Sequence, residues 1–211
     1  MRLILASASP RRKELLSTLI PSFEVIPSGI NEDLIEIKDP VRFALKAAEA
    51  KAESVASGTD NGVIIAADTV VSLNGRIIGK PGDENEAYDI LSHLSESEHS
   101  VITGLCIIAK NGKKTKKLMD YEKTIVKMRK LKEEEIISYL SHANWRDKAG
   151  AYAIQEHGDK FIEYIIGDYH NVVGLPVKRL RKLLTQMIRS KAMNLSLVRG
   201  GDTHKEHRQQ T

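Results

Sequence analysis

The chain has 211 residues, 41% hydrophobic and 28% charged, a globular composition that excludes the disordered class. Its one cysteine, Cys106, excludes an intramolecular disulfide framework and a multi-cysteine zinc site, and no stretch approaches the ~20 apolar residues of a membrane span. The balance of 32 basic and 28 acidic residues, net +4, favours an anionic partner without saying which.

The opening Met1–Arg12 segment is too short and too soon charged to read as a signal peptide, and with the lone cysteine it predicts a cytoplasmic protein. Leu3–Ala6 reads as a short buried strand. It stops at Ser7-Ala8-Ser9-Pro10, where Ser9 suits an N-cap and Pro10 a first helical position, so a helix is predicted through Leu19. A strand at Phe23–Pro27 leads into a polar loop around Glu32. Asp39-Pro40 starts a second helix with an apolar stripe of Phe43, Ala44, Ala47, Ala48 and Val55. Val63–Val71 is the most strand-like run, broken by the single charge of Asp68, and Asn74-Gly75 turns it into a hairpin with Arg76–Ile78.

Asp83 and Glu86 have capping-box spacing ahead of a helix to about Leu94. Ser100–Ala109 and Thr115–Met128 read as long strands joined at Asn111-Gly112, followed by a helix at Glu133–Leu140. Gly150–Ile154 and Phe161–Ile166 are strand candidates. Leu175-Pro176 opens a last helix with Val177, Leu180, Leu183, Leu184 and Ile188 on one side. The pattern predicts a single α/β domain over residues 1–190 and a flexible tail over 191–211.

Three places carry chemistry. Ser7, Arg11 and Arg12 surround a strand-to-helix junction, where free amides and a positive dipole end suit an oxyanion and guanidinium groups can grip phosphate. A plain capped helix with surface arginines fits the same spacing. Asp68 within an apolar run must end at a cleft, or be paired, or bind metal, because an isolated buried carboxylate is costly. The small residues of Asp147–Gln155 admit close approach, and Gln155 ends them with an amide able to read a base edge. Taken singly, Lys80 reads as a turn lysine, Glu32 as a solvated loop residue and Lys51 as part of a solvated helix face. The lysines at 110, 113, 114, 116 and 117 form either a solvated turn or the contact face of a nucleic-acid-binding module, the competing function.

In order along the chain, SASPRRKELL at 7–16, AADTVV at 66–71, GKP at 79–81, HSVITG at 99–104, DKAGAYAIQ at 147–155 and NVVGLP at 171–176 resemble the Maf family of nucleoside triphosphate pyrophosphatases. The resemblance spans about residues 2–188. It implies a mixed α/β fold of the inosine triphosphatase-like kind, with a strongly bent central sheet, two lobes and a cleft. It also implies hydrolysis of a nucleoside triphosphate to the monophosphate and pyrophosphate, a divalent cation (Mg²⁺ or Mn²⁺), and a homodimer.

Position by position, Asp68 matches the family's proton acceptor, with Glu32 and Lys80 as catalytic companions and Asp68 and Glu32 as metal ligands. Ser7, Arg11, Arg12, Lys51, Thr69 and Gln155 match substrate-binding positions. Arginine, threonine and glutamine at 11, 69 and 155 are similar to the branch that acts on dTTP and UTP; the 7-methyl-GTP branch tends to have tryptophan, glutamine and glutamate. The chain departs from the family pattern at Ala153 and Glu156, each in place of glycine.

Overall fold

A computed structural model describes residues 2–143, 145–155 and 158–189; the expected tail over 191–211 lies outside the described residues. Seven strands form one mixed sheet with spatial order β2-β1-β3-β5-β6-β7. They are β1 (Leu3–Leu5), β2 (Glu24–Val25), β3 (Asn61–Leu73), β4 (Arg76–Ile78), β5 (Glu98–Asn111), β6 (Lys114–Met128) and β7 (Ile162–Ile166). Strand β1 runs parallel to β2 and β3, and every other pairing is antiparallel. The helices are α1 (Pro10–Leu19), α2 (Pro40–Ser57), α3 (Glu84–Leu94), α4 (Glu133–His142), α5 (Tyr169–Val173) and α6 (Val177–Arg189).

The helix starts follow the cap chemistry expected of them. Ser9, Asp39 and Asp83 accept from the amides of Arg12, Arg42 and Glu86, and Pro10 and Pro40 open their helices. The Glu86 carboxylate returns to the Gly82 amide at 2.7 Å, one residue earlier than a capping box places it.

Alternation along the strands sorts the core by face. Leu3, Leu5, Val63, Ile65 and Ala67 pack with Leu15 and Leu16 of α1 and with Leu180, Leu183, Leu184 and Met187 of α6. Ile4, Ile64, Ala66 and Cys106 turn to the other face, against Ala48, Ala52 and Val55 of α2. A third cluster joins Val71, Val101 and Val126 to α3 and α4, with Trp145 buried among them. Met187 takes the buried place expected for Ile188, which is only half-buried. Burial pushes the Cys106 thiol up to about 12, so it is a core residue and not a nucleophile at neutral pH.

Two expectations need correction. The strand at 23–27 is only Glu24–Val25. Gly150–Ile154 forms no strand: Ala149–Ala151 is a 3₁₀ turn with Gly150 at φ 76° and Ala151 at φ 59°, left-handed values incompatible with a pleat. A side chain at Gly150 would also press on Val71, 3.1 Å away.

Candidate active site

Strand β3 is covered unevenly, and that places the site. On one edge β1 pairs with Val63–Ile65 and β4 with Val71–Leu73, while Ala66–Val70 have no strand partner there. The chain leaving the carboxyl end of β1 is Ser7–Arg12, so the gap is floored by β3 and walled by the start of α1. Crevices beyond the carboxyl ends of parallel strands are the usual ligand sites of α/β sheets. A cleft of about 740 Å³ opens here, and all nine residues singled out from the sequence (Ser7, Arg11, Arg12, Glu32, Lys51, Asp68, Thr69, Lys80 and Gln155) line it.

On the α2 side, Asp68 is 3% exposed. Its Oδ1 accepts from Lys51 Nζ at 2.6 Å, and Oδ2 is buried without a hydrogen-bond partner. The same ammonium pairs with Glu32 Oε1, whose other oxygen lies 3.3 Å from Lys80 Nζ. The reading of Lys51 as a solvated helix residue is therefore overturned. It continues the inward stripe of Ala44, Ala47 and Ala48 and is 8% exposed. Glu32 is not a loose loop residue either. A 3₁₀ turn at Glu32–Leu34, with Asn31 accepting from the Asp33 amide at 3.0 Å, brings its half-buried carboxylate over Lys51.

Close approach of α2 depends on Gly104, which lies opposite Asp68 in the β3–β5 register. A Cβ there would stand 2.3 Å from the Ala44 carbonyl oxygen. Glycine thus lets the helix backbone sit on the sheet, and the lysine about two turns further along α2 reaches the carboxylate.

The two carboxylates are driven apart in acidity. Burial raises Asp68, against the pull of Lys51. Burial also raises Glu32, but the charge and hydrogen bond of Lys51, followed by those of Lys80, override it and hold the group at about 2.

On the opposite face of β3, Arg12 organises the cleft. Its Nε donates to the Gly174 carbonyl at 2.9 Å, Nη2 to Thr69 Oγ1 at 3.1 Å, and Nη1 more distantly to Ser7 Oγ at 3.4 Å. Ser7 Oγ also accepts from the Ser9 amide at 3.2 Å, which shapes the turn into α1. A guanidinium has five N–H donors, and these three bonds leave two. The far wall is the Asp147–Gln155 segment. It is tied down by Tyr152, whose hydroxyl lies 2.7 Å from His99 Nε2, and by Tyr139, which accepts from the Ala153 amide at 3.1 Å. Burial lowers His99 to about 4, so it is neutral at physiological pH. Gln155 stands exposed on that wall; Glu156 lies outside the described residues.

The family profile described as Maf-like protein matches residues 2–187. The chain belongs to the Maf family. This Maf-like chain is 48% identical over 185 residues to the dTTP/UTP pyrophosphatase of Pyrococcus furiosus, covering 87% of this chain and 94% of that one. It is 43% identical over 197 residues to the dTTP/UTP pyrophosphatase of Clostridium acetobutylicum, with 89% and 98% covered. Its fold is similar to that of the Ham1 protein of Staphylococcus aureus, with a TM-score of 0.51 at 14% identity over 89% of this chain and all of that one. The mixed α/β architecture expected of a Maf protein is thus the one found.

Sequence reasoning missed Thr103, Asn171 and the Gly174 carbonyl. The motifs around them were visible, but only the fold brings β5 and α5 beneath Arg12. The lysine hairpin is partly committed elsewhere: Lys117 pairs with Glu49 and with Glu53, and Lys110 donates to the Ala56 carbonyl at 2.8 Å. Among the described residues, no helix is long and apolar enough to cross a membrane, and no group of three or more His, Cys, Asp or Glu side chains is gathered for a metal.

Proposed function

We propose that this Maf-like chain hydrolyses dTTP and UTP to the monophosphate and pyrophosphate, keeping the nucleotide pool in order. The observation that carries the reading is the pair of carboxylates sharing Lys51 with acidities pushed apart, set beside a cationic helix start in one cleft. Two carboxyl groups tuned in opposite directions are the signature of divided acid–base roles. The relatives' printed activity supports the substrate class.

In this reading Asp68 is the base. Its raised pKa, caused by burial, brings it nearer the working pH, and Oδ2 has no hydrogen bond to give up when it takes a proton from the attacking water. Water supplies its hydroxyl to one phosphorus as the α–β phosphoanhydride bond breaks, and Asp68 receives the proton. Lys51 fixes Asp68 through Oδ1 and holds Glu32 ionised throughout. Arg11, Arg12, Lys80, Ser7 and the first amides of α1 neutralise the triphosphate, and Gln155 meets the pyrimidine edge, to which its amide both donates and accepts.

Asp68 and Glu32 fit a hard divalent cation such as Mg²⁺ or Mn²⁺: both are oxygen donors, one with an unpartnered buried oxygen, and substrate phosphates complete such sites. When bound, the ion would polarise the phosphoryl oxygens and acidify water. A homodimer and a cytoplasmic setting belong to the same proposal, supported by the family resemblance and by the buried lone thiol; light scattering tests the first.

The decisive experiment mixes the full chain with Mg²⁺ and a panel of nucleoside triphosphates. Release of pyrophosphate, strongest with dTTP and UTP, is expected. No pyrophosphate from any nucleotide, with folded protein, refutes the assignment.

A further inference from the structure

Thr103 lies outside the cleft and is fully buried on β5, directly opposite Thr69 in the β3–β5 register. Its hydroxyl oxygen is 2.9 Å from Thr69 Oγ1 and 3.2 Å from the Asn171 carbonyl oxygen. A carbonyl can only accept, and Arg12 can only donate. Along the shorter contacts, donors and acceptors align in one direction: Arg12 Nη2 donates to Thr69, Thr69 to Thr103, and Thr103 to Asn171. Asn171 is itself locked, its amide donating to the Val101 carbonyl at 2.9 Å and to Thr124 Oγ1 at 3.0 Å. Three residues on, Gly174 at φ 122° turns its carbonyl to Arg12 Nε. The two shorter contacts of the guanidinium therefore trace back to α5 and its C-cap, one directly and one through two threonines.

We infer that Thr103 is a positioning residue: through Thr69 it holds the Arg12 guanidinium with two N–H donors aimed into the cleft for phosphate. The Thr69 hydroxyl is then engaged with Arg12 and Thr103, so that its influence on substrate choice passes through the arginine. Thr69 Oγ1 has one alternative acceptor, the Gly174 carbonyl at 3.5 Å, but its 2.9 Å contact with Thr103 is much the shorter and completes a chain of one direction, which suits the fixing of a long side chain. A one-residue slip between β3 and β5 would send the two threonines to opposite faces and break it. The inference rests on the reading of Arg12 as a phosphate ligand.

The test compares wild type, Thr103→Val, Thr103→Ser, Thr69→Val and the Thr69/Thr103 double valine variant. Steady-state pyrophosphate release from dTTP is measured alongside the Arg12 Nη–H and Nε–H signals in ¹⁵N-arginine NMR spectra, assigned with Arg12→Lys. Thr103→Val keeps the side-chain shape, and the Asn171 carbonyl retains the Gly174 amide at 3.0 Å. The expected result is a KM raised about fivefold, the order set by one neutral hydrogen bond, with kcat changed much less. Thr103→Ser recovers most of the loss, and Thr103→Val adds little in the Thr69→Val background. The Arg12 Nη2–H signals lose protection from exchange in both valine variants, while Nε–H, held by the Gly174 carbonyl, keeps its own.

An unchanged KM, fully additive losses, or Arg12 Nη2–H signals that stay protected overturn the relay. If wild type releases no pyrophosphate from any nucleotide, the active-site reading fails by itself, and the Arg12 signal still decides the relay. If Thr103→Val does not fold, Thr103→Ala removes the same hydroxyl with a smaller side chain and gives the same two readouts.

Discussion

Replacing Lys51 by methionine keeps the aliphatic stem and deletes the cation that Asp68 and Glu32 share. Asp68 would lose its 2.6 Å hydrogen bond while its second oxygen already has none, leaving a 3% exposed carboxylate uncompensated. Removing one partner of a buried pair costs about 3–5 kcal/mol. For a chain of this size, at roughly 2–4 °C per kcal/mol, that is a Tm lowered by about 10 °C or more near neutral pH.

The pH dependence separates this cause from simple misfolding. Without Lys51, Asp68 rises further above its ordinary value and Glu32 climbs back from about 2, because only Lys80 still lowers it. An acid raised in the folded state binds more protons than the unfolded chain, so stability falls as pH rises through that window. An acid lowered in the folded state stabilises above its unfolded value, and that contribution disappears as pH falls toward 2. The wild type therefore loses the Glu32 contribution in acid, while the variant gains by protonating Asp68. The gap between the two proteins is widest near pH 7 and closes toward pH 4. Thermal unfolding at a series of pH values, with the pH profile of kcat/KM for dTTP, reads both effects, and the acidic limb of the profile moves to higher pH. An equal stability loss at pH 4.5 and 7.5, with an unmoved acidic limb, refutes the charge-sharing argument.

Other substitutions probe neighbouring parts of the site. Asp68→Asn should lower turnover by about 10²–10⁴-fold, the usual contribution of a positioned base. It should leave Tm at pH 7.5 equal or higher, since Lys51 keeps Glu32 and no buried charge remains on residue 68; substantial residual turnover removes Asp68 from the role of base. Gly104→Ala sets a Cβ 2.3 Å from the Ala44 carbonyl oxygen and must push α2 off the sheet. Overpacking of this kind costs about 1–3 kcal/mol, and turnover should fall with stability because Lys51 moves away from Asp68. Gln155→Glu exchanges an amide that both donates and accepts for an acceptor-only carboxylate. Its kcat/KM for dTTP and UTP should fall about tenfold relative to donor-rich bases across a nucleotide panel, and an unchanged ranking would remove Gln155 from base reading.

Local chemistry in the chain was enough to place the caps at Ser9, Asp39 and Asp83, the long β3 run and both hairpins, because side-chain oxygens before an amide and alternation of apolar residues act over a few positions. Local chemistry did not name the nine residues that share one cleft; the resemblance to the Maf family did, carried by six motifs in the family's order, each weak alone. Two readings failed for want of long-range information. Gly150–Ile154 has the small apolar pattern of a buried strand, but left-handed backbone at Gly150 and Ala151 turns it into a cleft wall packed beneath other elements. Lys51 sits at the inward spacing of an apolar helix face, yet a lone charge there reads as solvated until its partners are known.

Those partners lie 17 residues away at Asp68 and on a loop before the helix at Glu32. What tertiary structure alone decided was the register of β3 on β5. That register sets Gly104 opposite Asp68, so that α2 can descend to bring Lys51 within reach, and Thr103 opposite Thr69, so that Arg12 is held from beneath. Sequence fixes which groups are available within a few residues of one another. Electrostatic pairing and hydrogen-bond relays between distant segments act over ångströms, and only the packed sheet brings them to that distance.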